Sequence, residues 1–279
     1  MNAPQYDLAD LLYLLARLRD PADGCPWDLE QDYASIVPST IEEAYEVADA
    51  IERGDLASLR EELGDLLFQV AFYSQLASEQ GHFDLPAVIS DLVDKLVRRH
   101  PHVFPAGTLQ SRKGDNLANT AAVVTQWEEI KSAERTRKGH ASLLDDLPVA
   151  LPALTRAQKL QKRAARVGFD WADASAVFAK IAEEITEVQR AMTHESPAKV
   201  EDEIGDLLFS CVNLARKLGI DSETALRRAS AKFEARFRQM ESQHAPESLQ
   251  TKTADQLEQL WQQAKAALAA KPQETSRSD

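Results

Sequence analysis

Apolar residues recur at three- and four-residue spacing along most of the chain, the period of helices with one buried face. Leu8, Leu11, Leu12, Leu15 and Leu18 predict an opening helix over about 7–19, closed by the turn-forming run Asp20-Pro21-Ala22-Asp23-Gly24. The loop Gly24-Cys25-Pro26-Trp27-Asp28 follows, with Trp27 expected as a packing anchor. Ser39-Thr40-Ile41-Glu42 reads as a capping box, and Ile41, Ala44, Ala48 and Ile51 as the buried stripe of the helix it starts. After the turn Arg53-Gly54-Asp55, Leu59, Leu63, Leu66, Leu67 and Val70 predict a second long helix ending near Gly81. Asp84 caps a third, with Pro86 in its first turn and Val88, Leu92 and Leu96 on its apolar face. It runs to about Arg99. His100-Pro101-His102 breaks it, and these two histidines stand too close together, without further partners, to read as a metal site. Residues 105–120 are polar and turn-rich, a mobile loop, and Trp127 and Lys131 belong to a last helix.

The second half repeats the first. Glu42-Glu43-x-x-Glu46 is answered by Glu62-x-x-Asp65-Leu66-Leu67-Phe68, and Glu183-Glu184-x-x-Glu187 by Glu203-x-x-Asp206-Leu207-Leu208-Phe209. Glu42 to Asp65 and Glu183 to Asp206 are both 23 positions. Asp84 precedes Lys95 by 11 positions, as Asp221 precedes Lys232. Lys95 and Arg99 match Lys232 and Arg236, and Trp127 with Lys131 matches Trp261 with Lys265. Gly168-Phe169-Asp170-Trp171 is a looser echo of the Gly24–Trp27 loop. Duplication of a helical unit explains so long a repeat. The fold class is therefore all-α, with tandem duplicated helical bundle domains. Residues 1–138 form the first domain, 139–148 a linker, 149–269 the second domain, and 270–279 a disordered tail.

Composition narrows the function. At 44 % hydrophobic and 28 % charged the chain is an ordinary globular one, and its formal charge of −13 opposes binding to nucleic acid or an anionic membrane. Cys25 and Cys211 form no CxxC pair and lie in unrelated places, so neither a disulfide framework nor a zinc site is expected. With no signal peptide at the N-terminus and no apolar run near the ~20 residues that span a bilayer, the expected location is the cytoplasm.

The acids carry the chemistry. Residues three apart on a helix share a face, so Glu43 with Glu46, and Glu62 with Asp65, each point one way. If the two helices pack antiparallel, four carboxylates converge, and four such groups cannot stay ionised together without a cation. A single E-x-x-E would read as a solvated face; a two-part pattern repeated at equal spacing does not. Oxygen-only ligands suit a hard divalent ion, Mg²⁺ where phosphate completes the shell, with Mn²⁺ as the substitute. Glu184, Glu187, Glu203 and Asp206 would be the ligands in the second half, and Glu43, Glu46, Glu62 and Asp65 in the first. Lys232 and Arg236 would neutralise phosphate oxygens and Trp261 would stack on a base, with Lys95, Arg99 and Trp127 as first-half equivalents. The halves differ in one informative way. Lys180 and Lys199 stand where the first half has Ser39 and Ser58. Two added cations favour a triphosphate ligand, so the second half is expected to be the main catalytic centre.

These words together resemble the MazG-type nucleoside triphosphate pyrophosphohydrolases. The resemblance rests on E-E-x-x-E followed by E-x-x-D, on Gly24–Asp28, on Arg98-Arg99-His100-Pro101-His102-Val103-Phe104 and on Val167–Trp171, and it covers residues 8 to about 266. It implies a helical bundle completed by homodimerisation, and hydrolysis of (d)NTPs between the α- and β-phosphates to a monophosphate and pyrophosphate, in nucleotide-pool house-cleaning or a stress response. It places Mg²⁺ on Glu184, Glu187, Glu203 and Asp206, and the nucleotide on Lys180, Glu183, Lys199, Lys232, Arg236 and Trp261. Asp202 departs from the Glu usual there. Glu183, outside the i, i+3 pair, is the candidate general base beside Glu184 and Glu187.

Three other readings compete. A di-iron bundle would use Glu79–His82 and Glu241–His244, but these occupy non-equivalent places in the repeat. A regulator that binds nucleotide without turnover, or a narrow-range dUTP- or dCTP-type pyrophosphatase, would share the same residues, because base choice depends on pocket shape.

Overall fold

In the computed structural model, which describes residues 5–112 and 142–270 together with 123, 126, 127, 129–131 and 134, every regular element is a helix. Helices α1 (Leu8–Leu18), α2 (Pro26–Glu30), α3 (Tyr33–Arg53), α4 (Leu56–Glu79) and α5 (Leu85–Arg99) precede α6 (Ala153–Ala165), α7 (Ala174–His194), α8 (Pro197–Lys217), α9 (Ser222–Gln243), α10 (Pro246–Gln250) and α11 (Ala254–Ala270). The chain divides into two compact units, Met1–Glu134 and Arg135–Asp279. Residues 113–120 of the expected mobile loop, 139–141 of the expected linker and 271–279 of the expected tail lie outside the described residues.

Each unit is built on one long helical hairpin, α3 against α4 in the first and α7 against α8 in the second. The links are too short for anything but an antiparallel return. Gly54 ends α3 in the left-handed region, at φ 70°, where glycine carries no steric penalty, and Asp55 caps α4. In the second unit Ser196 caps α8 directly after Glu195. Side-chain caps recur at matching places: Asp84 starts α5 and Asp221 starts α9, as their spacing predicts. The first core gathers Leu15, Ile36, Ala71, Phe72, Leu76 and Leu85, so α1 lies on α4. In the second unit α6 takes the place of α1 against α8, and α9 packs on α11.

Three expectations about the first hairpin are corrected. Helix α3 does not begin at Ser39. Asp32 and Ser35 form the capping box, and the helix runs on through Pro38. Nor are Ile41, Ala44 and Ile51 buried. The side of α3 that meets α4 is Ile36, Thr40, Glu43, Val47 and Ala50, and this choice of face carries Glu43 into the hairpin interface. Trp27 is not a packing anchor: it is 64 % exposed on α2, while its neighbour Asp28 is buried.

Residues 142–148, read as linker, are turns held to the second unit. Arg163 on α6 donates to the backbone carbonyls of Leu143 (3.1 Å), Asp145 and Asp146 (3.4 Å).

Candidate active site

Antiparallel pairing of α7 and α8 sets the two acidic faces against each other. One carboxylate oxygen each from Glu184, Glu187 and Glu203 lies within 4.8 Å of the other two. Glu184 and Glu203 are both buried, at 3 % exposure, and Oε2 of Glu184 has no hydrogen-bond partner among the described residues. An unpaired buried carboxylate oxygen is costly, and three carboxylates at this separation form an oxygen-only set suited to a hard divalent cation. Asp206 lies at the edge of the group. Desolvation raises its carboxyl pKa first, and the charges of Glu184, Asp202 and Glu203 add to it.

Lys180 and Lys199 straddle the cluster. Nζ of Lys180 lies 3.0 Å from Glu183 and 2.9 Å from Glu184; Nζ of Lys199 lies 2.7 Å from Asp202 and 2.9 Å from Glu203. Hydrogen bonds to Glu184 and then Glu183 hold Lys180 above the ordinary lysine range, and Asp202 and then Glu203 do the same for Lys199. Each lysine therefore joins one exposed acid to one buried acid. Glu183 itself points to solvent, its side chain 58 % exposed.

The first hairpin repeats the acids without the cations. Oxygens of Glu43, Glu62 and Asp65 meet within 4.8 Å, with Glu46 outside that trio. Among the described residues no Lys or Arg forms an ion pair with these four acids. Desolvation, then the charges of Asp65 and Glu46, raise Glu43; desolvation, then Glu46 and Asp65, raise Glu62. The other first-half candidates have local partners. Arg99 donates to Glu134 at 2.5 Å, and the Lys131 ammonium sits 3.6 Å over the Trp127 ring. Lys95 is half-buried on α5. Glu79, which a di-iron reading would need, accepts from Arg19 at 2.7 and 2.8 Å.

Space separates the two halves further. A cavity of about 740 Å³ opens beside the second cluster, and Lys180, Glu184, Asp206, Gln161, Trp171, Phe209 and Asn213 are among the residues that line it. The first unit has a pocket of about 50 Å³ near Phe68 and Phe72, lined by none of the acids. Register gives the reason. Seven residues after the last acid of each motif stands Phe72 in one half and Asn213 in the other; four residues after stands Gln69 or Ser210. The larger pair fills the first unit. Small-molecule sites generally occupy about 300–1,000 Å³, and the cavity beside the second hairpin falls in that range.

Lys232, Arg236 and Trp261 form a separate group on α9 and α11. The Arg236 guanidinium is 5.5 Å over Trp261, whose ring centroid lies 5.0 Å from that of Phe233, and none of the three lines the cavity. The structure thus brings Lys180, Lys199 and the acids together and leaves those three apart. The cavity walls were not legible as functional: Gln161, Asn213 and Arg216 belong to no repeated word, and only the Gly168–Trp171 echo pointed toward them. Asp170 in that echo accepts from both guanidinium NH groups of Arg216 and from Lys217 (2.8 Å), and Lys217 also donates to the Trp171 carbonyl. Arg216, then Lys217, bring the Asp170 carboxyl down to about 2.

The model of the MazG nucleotide pyrophosphohydrolase domain matches twice, over residues 31–104 and 173–240, one hairpin each time. The chain is 50 % identical over 259 residues to a nucleoside triphosphate pyrophosphohydrolase of Escherichia coli K12, covering 91 % of this chain and 95 % of that one. It is 40 % identical over 258 residues to the nucleoside triphosphate pyrophosphohydrolase/pyrophosphatase MazG of Thermotoga maritima, covering 92 % and 94 %. A solved structure of a mazG-related protein from Thermotoga maritima aligns with 45 % of this chain and 99 % of its own, at 27 % identity and a TM-score of 0.37.

Proposed function

Because the chain belongs to the MazG nucleotide pyrophosphohydrolase family, we propose that it hydrolyses nucleoside triphosphates at the bond between the α- and β-phosphates, with the second hairpin as its catalytic centre. The observation that carries this reading is the carboxylate trio of Glu184, Glu187 and Glu203, with its unpaired buried oxygen, opening on a cavity large enough for a nucleotide. Mg²⁺, or Mn²⁺ in its place, would be held by Glu184, Glu187, Glu203 and Asp206. When bound, it neutralises phosphate charge and makes coordinated water more acidic.

The chain's own residues supply the rest. Glu184 and Glu203, buried on facing helices, keep the acidic end dry and fixed. Lys180 and Lys199 lie where an incoming triphosphate can draw them off the acids they now bridge, so that their ammonium groups offset charge on the departing pyrophosphate. Glu183 takes the proton of the attacking water on its carboxylate, since its exposure leaves it free to reach solvent. The water oxygen becomes part of the monophosphate or the pyrophosphate, according to which phosphorus it meets, and the bridging oxygen leaves with the other. Lys232, Arg236 and Trp261 fit the reading as residues brought to the nucleotide by a second copy of the chain. Large apolar side chains left exposed on α7, α8 and α9, among them Phe178, Leu208 and Phe233, support such a homodimer. Removal of non-standard or surplus nucleotides is the role that suits this chemistry.

Product analysis tests the proposal. With Mg²⁺ and each common ribo- and deoxyribonucleoside triphosphate, the expected products are the monophosphate and pyrophosphate. Diphosphate plus orthophosphate would place the cleavage elsewhere, and no turnover of any nucleotide would leave a binding protein.

A further inference from the structure

Each member of the second carboxylate trio stands beside a cation of its own chain. Glu184 lies 2.9 Å from Lys180, Glu203 2.9 Å from Lys199, and Glu187 4.0 Å from Arg190. Three negative charges are thus met by three positive ones. The same three places of the repeat hold Ser39, Ser58 and Asp49 in the first half. Arg190 is therefore a third added cation beside the acids, and no repeated word marks it.

The partners in these pairs are not equally free to move. Glu184 and Glu203 are buried in the hairpin. The Lys180 and Lys199 side chains are 29 % and 40 % exposed, on flexible four-carbon stems. Each lysine stands four positions before its buried acid and also reaches an exposed acid three positions on, Glu183 at 3.0 Å or Asp202 at 2.7 Å. An ammonium group can therefore release the buried carboxylate by rotating its own stem and keep the exposed one. Arg190 has the same choice, with Glu195 at 3.7 Å as its second partner. A divalent cation on the buried carboxylates would stand close to both ammonium groups, and like charges at such range repel. The lysines, not the buried acids, are the groups that can relieve that repulsion.

We propose that Lys180 and Lys199 are built-in counter-ions that exchange with the divalent cation at Glu184 and Glu203, and so couple metal binding to triphosphate binding. A metal ion that takes the buried carboxylates turns the two ammonium groups outward, where phosphate oxygens can meet them. A triphosphate that engages the ammonium groups clears the same carboxylates for the metal. Each ligand alone binds against the lysine–acid pairs, and the second then binds without that opposition. Linkage makes the effect reciprocal. The coupling rests on the pyrophosphohydrolase reading above for its anion; the exchange rests on the ion pairs alone.

Lysine footprinting reads the exchange without turnover. The wild-type protein is acetylated briefly, and each lysine is quantified by mass spectrometry in EDTA, in Mg²⁺ at a concentration that calorimetry shows to be saturating, and in Mg²⁺ with α,β-methylene-ATP. In EDTA, Lys180 and Lys199 should react slowly, shielded by two carboxylates each. Mg²⁺ alone should speed both at least about threefold, with Lys252 as the unchanged reference, and the nucleotide analogue should slow them again. Mn²⁺ calorimetry gives the second readout, in a Glu43→Ala, Glu62→Ala background that takes the first trio out of the measurement. There Lys180→Met with Lys199→Met should tighten Mn²⁺ about tenfold, since a partly exposed pair is worth up to about fivefold in an equilibrium constant. The analogue should then tighten Mn²⁺ further by a smaller factor than it does with both lysines present. Labelling that Mg²⁺ leaves unchanged, or an Mn²⁺ affinity that the double substitution leaves unchanged, overturns the exchange. Labelling that the analogue fails to slow overturns the coupling. No hydrolysis of any nucleotide by the wild-type protein overturns the function instead, and the EDTA and Mg²⁺ arms still decide the exchange.

Discussion

Replacing Asp170 by Asn tests whether the loop that walls the cavity is held electrostatically. Asp170 lies on the loop between α6 and α7, its side chain 20 % exposed; its partners on α8, Arg216 and Lys217, are 14 % and 15 % exposed. The pair lowers its carboxyl from the ordinary 3.8 to about 2. At full strength that drop is worth about 2 kcal/mol; solvent at the loop screens it toward about 1 kcal/mol. The sign follows from the direction. A depressed carboxyl stabilises the fold fully above 3.8, and the contribution disappears as pH falls from there through about 2. In a Trp27→Phe, Trp127→Phe background, Trp171 and Trp261 report on the second unit alone. Urea unfolding followed by their fluorescence should show Asp170→Asn less stable by about 1 kcal/mol at pH 7, with the gap closing between pH 4 and pH 2. In the same variant KM should rise several-fold with little change in kcat, because the loop walls the cavity and touches no phosphate end. A gap as wide at pH 2.5 as at pH 7, or none at pH 7, would refute the argument.

The other predictions concern charge and metal. Lys180→Met and Lys199→Met each take a cation from between two acids, so Mn²⁺ should bind more tightly by calorimetry while KM for the triphosphate rises about tenfold. Chelation with EDTA should abolish turnover, and Mg²⁺ or Mn²⁺ should restore it. The same ions at a hundred times their Kd should stabilise the second unit by about 2.7 kcal/mol, and should not do so in Glu184→Ala. In the first unit the Arg99 guanidinium, and then Arg98, hold the Glu134 carboxyl down to about 2. Glu134→Gln should therefore lower the melting temperature of that unit, by calorimetry, and leave kcat unchanged.

The helices and the acid cluster were legible because each depends on local spacing. Caps at Asp84 and Asp221, the Gly54 turn and the i, i+3 acids are fixed by neighbours a few residues away, and the equal 23-residue separations carry the hairpin pairing with them. Choice of helix face was less legible. The Ile41–Ile51 stripe is as apolar as a buried one, yet α3 turns Glu43 and Val47 inward instead and leaves Ile41 and Ile51 exposed. The cavity was not legible at all. Asn213 and Ser210 occupy the places that Phe72 and Gln69 hold in the first unit, and Gln161, which also lines the cavity, comes from a helix outside the repeated words. Lys180 and Lys199 were visible as an asymmetry between the halves; that each joins a buried acid to an exposed one is a property of the folded hairpin.

The most direct measurement assigns the chemistry to one half. Purified wild-type protein, Glu184→Ala and Glu43→Ala are each incubated with Mg²⁺ and the best nucleoside triphosphate, and monophosphate and pyrophosphate are quantified. Turnover lost in Glu184→Ala, by at least about a hundredfold, and retained in Glu43→Ala is the predicted result. Turnover that survives Glu184→Ala and disappears in Glu43→Ala would contradict the account, since it would place catalysis in the hairpin that lacks the two lysines.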